Sequence, residues 1–189
     1  MFTDKTSELA ALVSPPDAPL DFDETVLQRN QGILRIEFPA DAVEFAKVFG
    51  SGRFKCAYTW EVWSPSRQTF PLIVLESSCI FNMFKESMEI DDVPFAIFPD
   101  VGGILPFATS SDGDWVCWIT KGEPNDWKVV DLYQYEQGFY QILEMGFSEY
   151  FYNVLTRNVV LDRLKEGDVW NPDEVEFQQK VRKDRDYGG

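Results

Sequence analysis

Three turn signals crowd into the stretch between residues 102 and 125: Gly102-Gly103, Asp112-Gly113 and Gly122-Glu123-Pro124-Asn125. The apolar runs that follow them, Ile104–Ala108, Trp115–Ile119 and Trp127–Leu132, are too short for stable helices. Short apolar runs bounded by turn residues read as β-strands, and Asp-Gly is among the strongest local hairpin signals. The middle of the chain is therefore expected to be an antiparallel meander. Phe95–Phe98 reads as one more strand, ahead of the Asp100-Val101-Gly102-Gly103 turn.

Helical patterning flanks this region. Pro39 suits the first turn of a helix, where its missing N–H costs nothing. Ala42, Phe45, Ala46 and Phe49 then share one face, and Gly50-Ser51-Gly52 stops the helix. A second helix is expected over about 72–87, with Pro71 at its start. Ser148 can cap a third, carrying Phe151, Leu155 and Val159 on one side. Asn171-Pro172-Asp173-Glu174 has a capping-box pattern and is expected to open a terminal helix. Arg53–Trp63 places Phe54, Cys56, Tyr58, Trp60 and Val62 at period two, as in one half-buried strand. Ile33–Ile36 reads as a short strand or a loop. These elements give an α+β class, a mostly antiparallel sheet flanked by helices. Residues 1–31 form an N-terminal arm, loosely ordered or docked; 32–165 the domain; 166–189 a C-terminal extension, expected to be helical.

The chain has 189 residues, long enough for one continuous core, and 16 of them are phenylalanine. No apolar run approaches the roughly 18 residues that cross a bilayer. Ala10–Val13 is too short for a secretory leader, so a cytoplasmic protein is expected. Three widely spaced cysteines, Cys56, Cys79 and Cys117, read as reduced, buried thiols.

Charge narrows the partners. The formal net charge is −15, and residues 86–149 hold 13 acidic against 2 basic side chains. Such a field repels nucleic acid and anionic membrane, whose binding requires cations against phosphates, and it attracts a basic protein. Its plainer role is solubility.

Catalytic signals are sparse. The chain contains no histidine, which removes the usual base for a cysteine nucleophile and a common zinc ligand. No cofactor or metal is implied. Asp112 and Asp114 flank Gly113 without the ligand series of a calcium loop, and read first as turn formers. Gly102-Gly103 lacks phosphate-loop spacing and reads as positive φ or a close approach of backbone to a ring. A glycosidase-like acid pair stays open, since acidic side chains are abundant. Five tryptophans, Trp60, Trp63, Trp115, Trp118 and Trp127, would crowd a single core, and strand alternation sends Trp115 and Trp118 to opposite faces. Some are expected to line a partner groove rimmed by Asp112, Asp114, Glu123 and Asp126.

The order of motifs resembles the SMI1/KNR4 family, or SUKH superfamily. It is carried by Phe38-Pro39, Phe45, Phe49-Gly50-Ser51-Gly52, Trp63-Ser64-Pro65 and Pro94-Phe95. It continues through Gly102-Gly103-Ile104-Leu105-Pro106-Phe107-Ala108, Ser111-Asp112-Gly113-Asp114, Trp118, Gly122–Trp127 and the Ser148–Leu155 helix, covering about 35–160. The resemblance implies an α+β domain without a catalytic set. Many bacterial members are immunity proteins that neutralise toxins, often nucleases or deaminases; fungal members are regulatory adaptors. Gly103, Leu105, Pro106, Asp112, Gly113 and Asp114 match the family segment, which does not say whether they bind or shape the fold. The expected function is a non-enzymatic immunity protein that occludes a basic toxin surface. A regulatory adaptor is the first alternative, and a carboxylate-based hydrolase or sugar-binding module the other.

Overall fold

In the computed structural model, which describes residues 2–87, 95–133, 140–162, 164 and 170–179, a seven-stranded sheet runs in the order β6-β5-β4-β3-β2-β1-β7. The strands are β1 Gly52–Lys55, β2 Thr59–Val62, β3 Ile104–Ser110, β4 Trp115–Ile119, β5 Lys128–Leu132, β6 Tyr140–Leu143 and β7 Glu176–Gln179. Every pairing is antiparallel. The helices are α1 Thr6–Leu12, α2 Glu24–Leu34, α3 Ala40–Val48, α4 Phe70–Ser87 and α5 Phe147–Leu155. The α+β class and the meander are as the sequence implies.

Alternation splits the core between the two sheet faces. Val116, Trp118 and Val129 join Phe45, Phe147, Phe151 and Val154 of α3 and α5. Cys117 and Val130 point the other way, with Phe95 and Ile104, and Phe81 of α4 packs against them. Pro106 sits in a central strand, where proline normally forfeits a ladder bond. It is tolerated because the β3–β4 register shifts between Pro106 and Ala108, and β2 ends opposite Ala108. Leu105 beside it is fully buried.

The two glycines of the Gly102-Gly103 turn have separate roles. Gly102 takes φ +75°, and a Cβ there would meet nothing closer than Lys121 Cβ at 3.9 Å, whereas a Cβ on Gly103 would lie 2.5 Å from the Phe98 backbone nitrogen. The close approach is to backbone rather than to a ring.

Several expectations change. Arg53–Trp63 is not one strand but the β1–β2 hairpin, turning at Cys56-Ala57-Tyr58 with Lys55 opposite Thr59. A three-residue turn preserves parity, so Phe54 and Trp60 face each other and the period-two pattern passes through unbroken. Phe95–Phe98 forms only an isolated parallel bridge, Ile97 to Ile104. The Asn171 motif caps a single 3₁₀ turn, Pro172–Glu174, and then β7 forms instead of a helix. Val175 and Phe177 alternate there, a strand period. The other parts of that extension, 166–169 and 180–189, lie outside the described residues.

The N-terminal arm is docked, and it supplies two helices. Leu9, Val13 and Leu27 are buried in the main core. Asp23 caps α2 by accepting from the Thr25 and Val26 N–H groups. Buried Asn30 donates to the Pro65 and Arg67 carbonyls at 2.8 and 2.9 Å. The expected boundary at residue 31 falls inside α2, and Ile33-Leu34 belongs to that helix.

Candidate functional site

A cleft of about 420 Å³ opens where the N-terminal segment, the start of α3, the β4–β5 loop and the start of α5 meet. Helix starts leave backbone N–H groups unsatisfied, and here the partners come from distant segments. Pro39 occupies the N-cap of α3 without a side-chain cap. The Ala40 N–H donates instead to Asn125 Oδ1 at 2.7 Å, and the Phe2 N–H donates to the Asn125 carbonyl at 3.2 Å. Asn125 thereby ties the chain's beginning and α3 to the 3₁₀ turn Pro124–Asp126.

Helix α5 is capped in the same way. Ser148 is not its N-cap; Gly146 is, and it has no capping side chain. Asp41 Oδ2 accepts from the Ser148 N–H at 2.9 Å and lies 3.2 Å from its hydroxyl. Asp4 Oδ1 accepts from the Thr6 N–H at 2.8 Å and also lies 3.2 Å from the Ser148 hydroxyl. The Lys5 N–H donates to that hydroxyl at 2.9 Å. With one proton, Ser148 Oγ serves Asp4 or Asp41 at a time. Two carboxylates thus converge on one hydroxyl. Burial pushes the Asp41 carboxyl above its ordinary range and Asp4 adds to the rise, against the lowering by Ser148's two hydrogen bonds.

Asp4, Asp41 and Glu44 make the cleft acidic, Asn125 and Trp127 line it as well, and none of the lining residues is basic. Glu44 is exposed and pairs with Lys47 at 3.1 Å, which softens the potential at that edge. Glu123 and Asp126 are exposed in the loop that carries Asn125.

The expected site residues therefore separate. Glu123, Asp126 and Trp127 belong to the loop at the Ile119 end of β4. Asp112, Asp114 and Trp115 belong to the hairpin at its other end, about 13 Å away by strand rise alone. Among the described residues, the cleft takes in Trp127 and none of Asp112, Asp114 and Trp115. Asp112 is exposed at the hairpin tip, and Gly113 takes φ +89° there. Asp114 is buried, accepts from the Ser110 hydroxyl at 3.0 Å, and its N–H donates to that same hydroxyl. It shapes the turn.

Nor do the tryptophans offer a row of exposed anchors. Trp60, Trp63, Trp118 and Trp127 are buried. Trp115, half-buried, packs edge-on against Phe81 of α4 and tilted against Trp63. The crowding inferred from composition is relieved by the two-faced core and the cover of α1 and α2. Trp115 and Trp118 do point to opposite faces. Trp127 alone of the six expected residues lines the cleft, its Nε1–H donating to the Gly122 carbonyl at 3.2 Å.

Sequence reasoning missed Asp4 and Asp41: Asp4 lies ahead of the N-cap of α1 in an arm without a clear pattern, and Asp41, in the first turn of α3, carries no signal beyond favouring the dipole. Of the cysteines expected to be buried, Cys117 is, Cys56 is half-buried and Cys79 is exposed on α4. Burial pushes Cys117 well above its ordinary range, with Asp131 adding to the rise, and it pushes up Cys56, so neither of these two suits a thiolate nucleophile. Among the described residues, no group of three metal-ligating side chains converges, and no helix is long and apolar enough to cross a membrane. No protein-family model, curated protein or solved structure matches the chain.

Proposed function

We propose that this chain is a non-catalytic binding protein of the SMI1/KNR4 immunity type, acting in the cytoplasm. Its acidic cleft, flanked by Glu123 and Asp126, covers the cationic face of a basic toxin such as a nuclease and keeps substrate out. The observation that carries the reading is the cleft itself: three carboxylates, the aromatic side chains of Phe2 and Trp127, and no cation among its lining residues. Charge of one sign around a concave surface speeds encounter with a partner of the other sign, and close packing then sets its residence time. The regulatory adaptor uses the same surface on a different partner.

The test is neutralisation. The purified chain is titrated against basic nuclease toxin domains, and the toxin's activity and the growth of co-expressing cells are followed. Glu44→Lys with Glu123→Lys should weaken binding at least tenfold at low salt, with the loss shrinking as salt screens the field. Asp112→Lys, at the far end of β4, should change little. If the cleft reversals leave neutralisation and its salt dependence intact, the reading fails.

One observation favours a second reading. Asp4 and Asp41 flank a hydroxyl beside an open cleft, and Asp41 is shifted upward, the pairing a carboxylate hydrolase needs. Against it, the Asp4 and Asp41 oxygens named above are already spent on the Thr6 and Ser148 N–H groups. Turnover of aryl glycosides by the wild type, abolished in Asp41→Asn, would establish that reading over the first.

A further inference from the structure

Strand β7 differs from the rest of the sheet. From β1 to β6, each strand pairs with its neighbour in sequence, whereas β7 joins β1 from the far end of the chain, Gly52 opposite Gln179 and Lys55 opposite Glu176. It is four residues long, its outward residues Glu176 and Gln178 are exposed, and only Phe177 packs into the main core. The Phe177 ring lies 5.0 Å from both Phe49 and Phe54 and 6.3 Å from Phe45.

The seat on β1 is cut to this strand. A Cβ on Gly52 would come within 2.3 Å of Phe177 Cζ, so the ring lies where any other residue at 52 would stand. Lys55 faces Glu176 across the ladder, a pairing of opposite charges. An incoming strand must therefore be extended, carry an aromatic in its second position and favour an acid in its first. Glu176-Phe177-Gln178-Gln179 meets all three requirements.

Upstream, the chain is pinned again. The Trp170 Nε1–H donates to the Leu155 carbonyl at 3.0 Å, and its ring meets Trp60 edge-on at 5.8 Å. Between this anchor and β7 lie the 3₁₀ turn Pro172–Glu174, capped by Asn171, and the buried Val175. Releasing β7 costs one partly buried ring, a four-residue edge ladder, the 2.8 Å bond from Gln179 Nε2–H to the Ala18 carbonyl and the buried Val175 side chain just ahead of the strand, still a local opening compared with unfolding the domain. Exchange between two copies restores every one of those contacts, so only the hinge and the association entropy are left to balance.

We propose that β7 is exchangeable: Glu176–Gln179 of one copy seats on the β1 edge of a second, and reciprocally, with Asn171–Glu174 as the hinge. The product is a two-fold strand-exchanged dimer. Because each copy carries a net charge of −15, the dimer is favoured by added salt.

The test starts from wild-type protein. Nitrogen-15-labelled and unlabelled copies are mixed at several concentrations, warmed below the unfolding onset, cooled, and examined by size exclusion and native mass spectrometry. A dimer of mixed mass is expected, its fraction rising about tenfold per tenfold concentration while it is the minor species. Arg53→Cys with Gln178→Cys, in a background where Cys56 and Cys79 are Ser, then reports connectivity. Oxidised while dilute, the pair closes within one chain and blocks mixing; oxidised after concentration, it links two chains. A chain monomeric at every concentration overturns the proposal. So does a dimer whose oxidation yields only intrachain links. If the cysteine variant does not fold, the labelled wild-type mixture still decides whether a dimer forms, and limited proteolysis of it within 171–174 then reports whether the strands are shared.

Discussion

Gly103→Ala and Gly102→Ala, one residue apart, are expected to differ sharply in cost. An added Cβ at Gly103 would meet the Phe98 nitrogen at 2.5 Å, the Ile97 carbonyl carbon at 2.6 Å and the Asp100 oxygen at 2.8 Å. All three are backbone atoms, and that backbone is held by Phe98 N–H to Ile104 O, Ile104 N–H to Ala96 O and Gly103 N–H to Asp100 O. No rotamer change can relieve the contact. Overpacking costs about 1–3 kcal/mol in ordinary cores, and a site without side-chain relief belongs at the upper end, about 3 kcal/mol. At Gly102 the nearest atom is Lys121 Cβ at 3.9 Å, so only the left-handed φ is penalised, by about 1–2 kcal/mol. The lower entropy of the unfolded alanine chain returns about 0.4–1 kcal/mol in both variants, leaving roughly 1 kcal/mol at Gly102 and about 2 kcal/mol or more at Gly103. Urea unfolding followed by tryptophan fluorescence measures both, with unchanged slopes marking a pure stability effect. A Gly103→Ala variant within about 0.5 kcal/mol of wild type, or less damaged than Gly102→Ala, would refute the geometry of this turn.

Asp41→Asn should alter the pH dependence of stability. Since the folded carboxyl is raised, its contribution is fully present below the unfolded aspartate pKa and is lost as pH rises through the folded one. Wild-type stability relative to the variant therefore falls as pH climbs from the ordinary aspartate range, and a gap that is flat or widens contradicts this. Tyr150→Phe removes the 2.8 Å bond that the tyrosine hydroxyl donates to buried Asp131 and should cost about 1–3 kcal/mol in the same urea assay; no change would mean that the bond is not made. Amide exchange should be faster in β7 than in β3, β4 and β5, the interior of the sheet; equal protection would contradict a weakly held strand.

Local patterns carried much of the fold. Phe45 and Phe49 at helical spacing placed α3 correctly, and the Asp112-Gly113 turn and its flanking apolar runs placed the centre of the sheet. What escaped was non-local or hidden by parity. The Cys56–Tyr58 turn has no glycine and keeps the alternation in phase, so a hairpin looks like one strand. The start of α5 is held by Asp41, 107 residues earlier, which no window of sequence displays. Val175 and Phe177 do announce a strand, but the capping residues before them speak for a helix, and tertiary packing against Phe49 and Phe54 decides for the strand. At the site, the Gly122–Trp127 loop was legible as a turn with acids. Its meeting with Asp4, Asp41 and Glu44 follows only from the docking of the first residues against α3 and α5.

The cleft's role is tested most directly by the salt dependence of partner binding, measured by calorimetry on the wild type and on Glu44→Lys/Glu123→Lys. The account predicts affinity that falls steadily with ionic strength in the wild type and a shallower slope, with weaker binding, in the reversal variant. Identical slopes and affinities for the two proteins would contradict it.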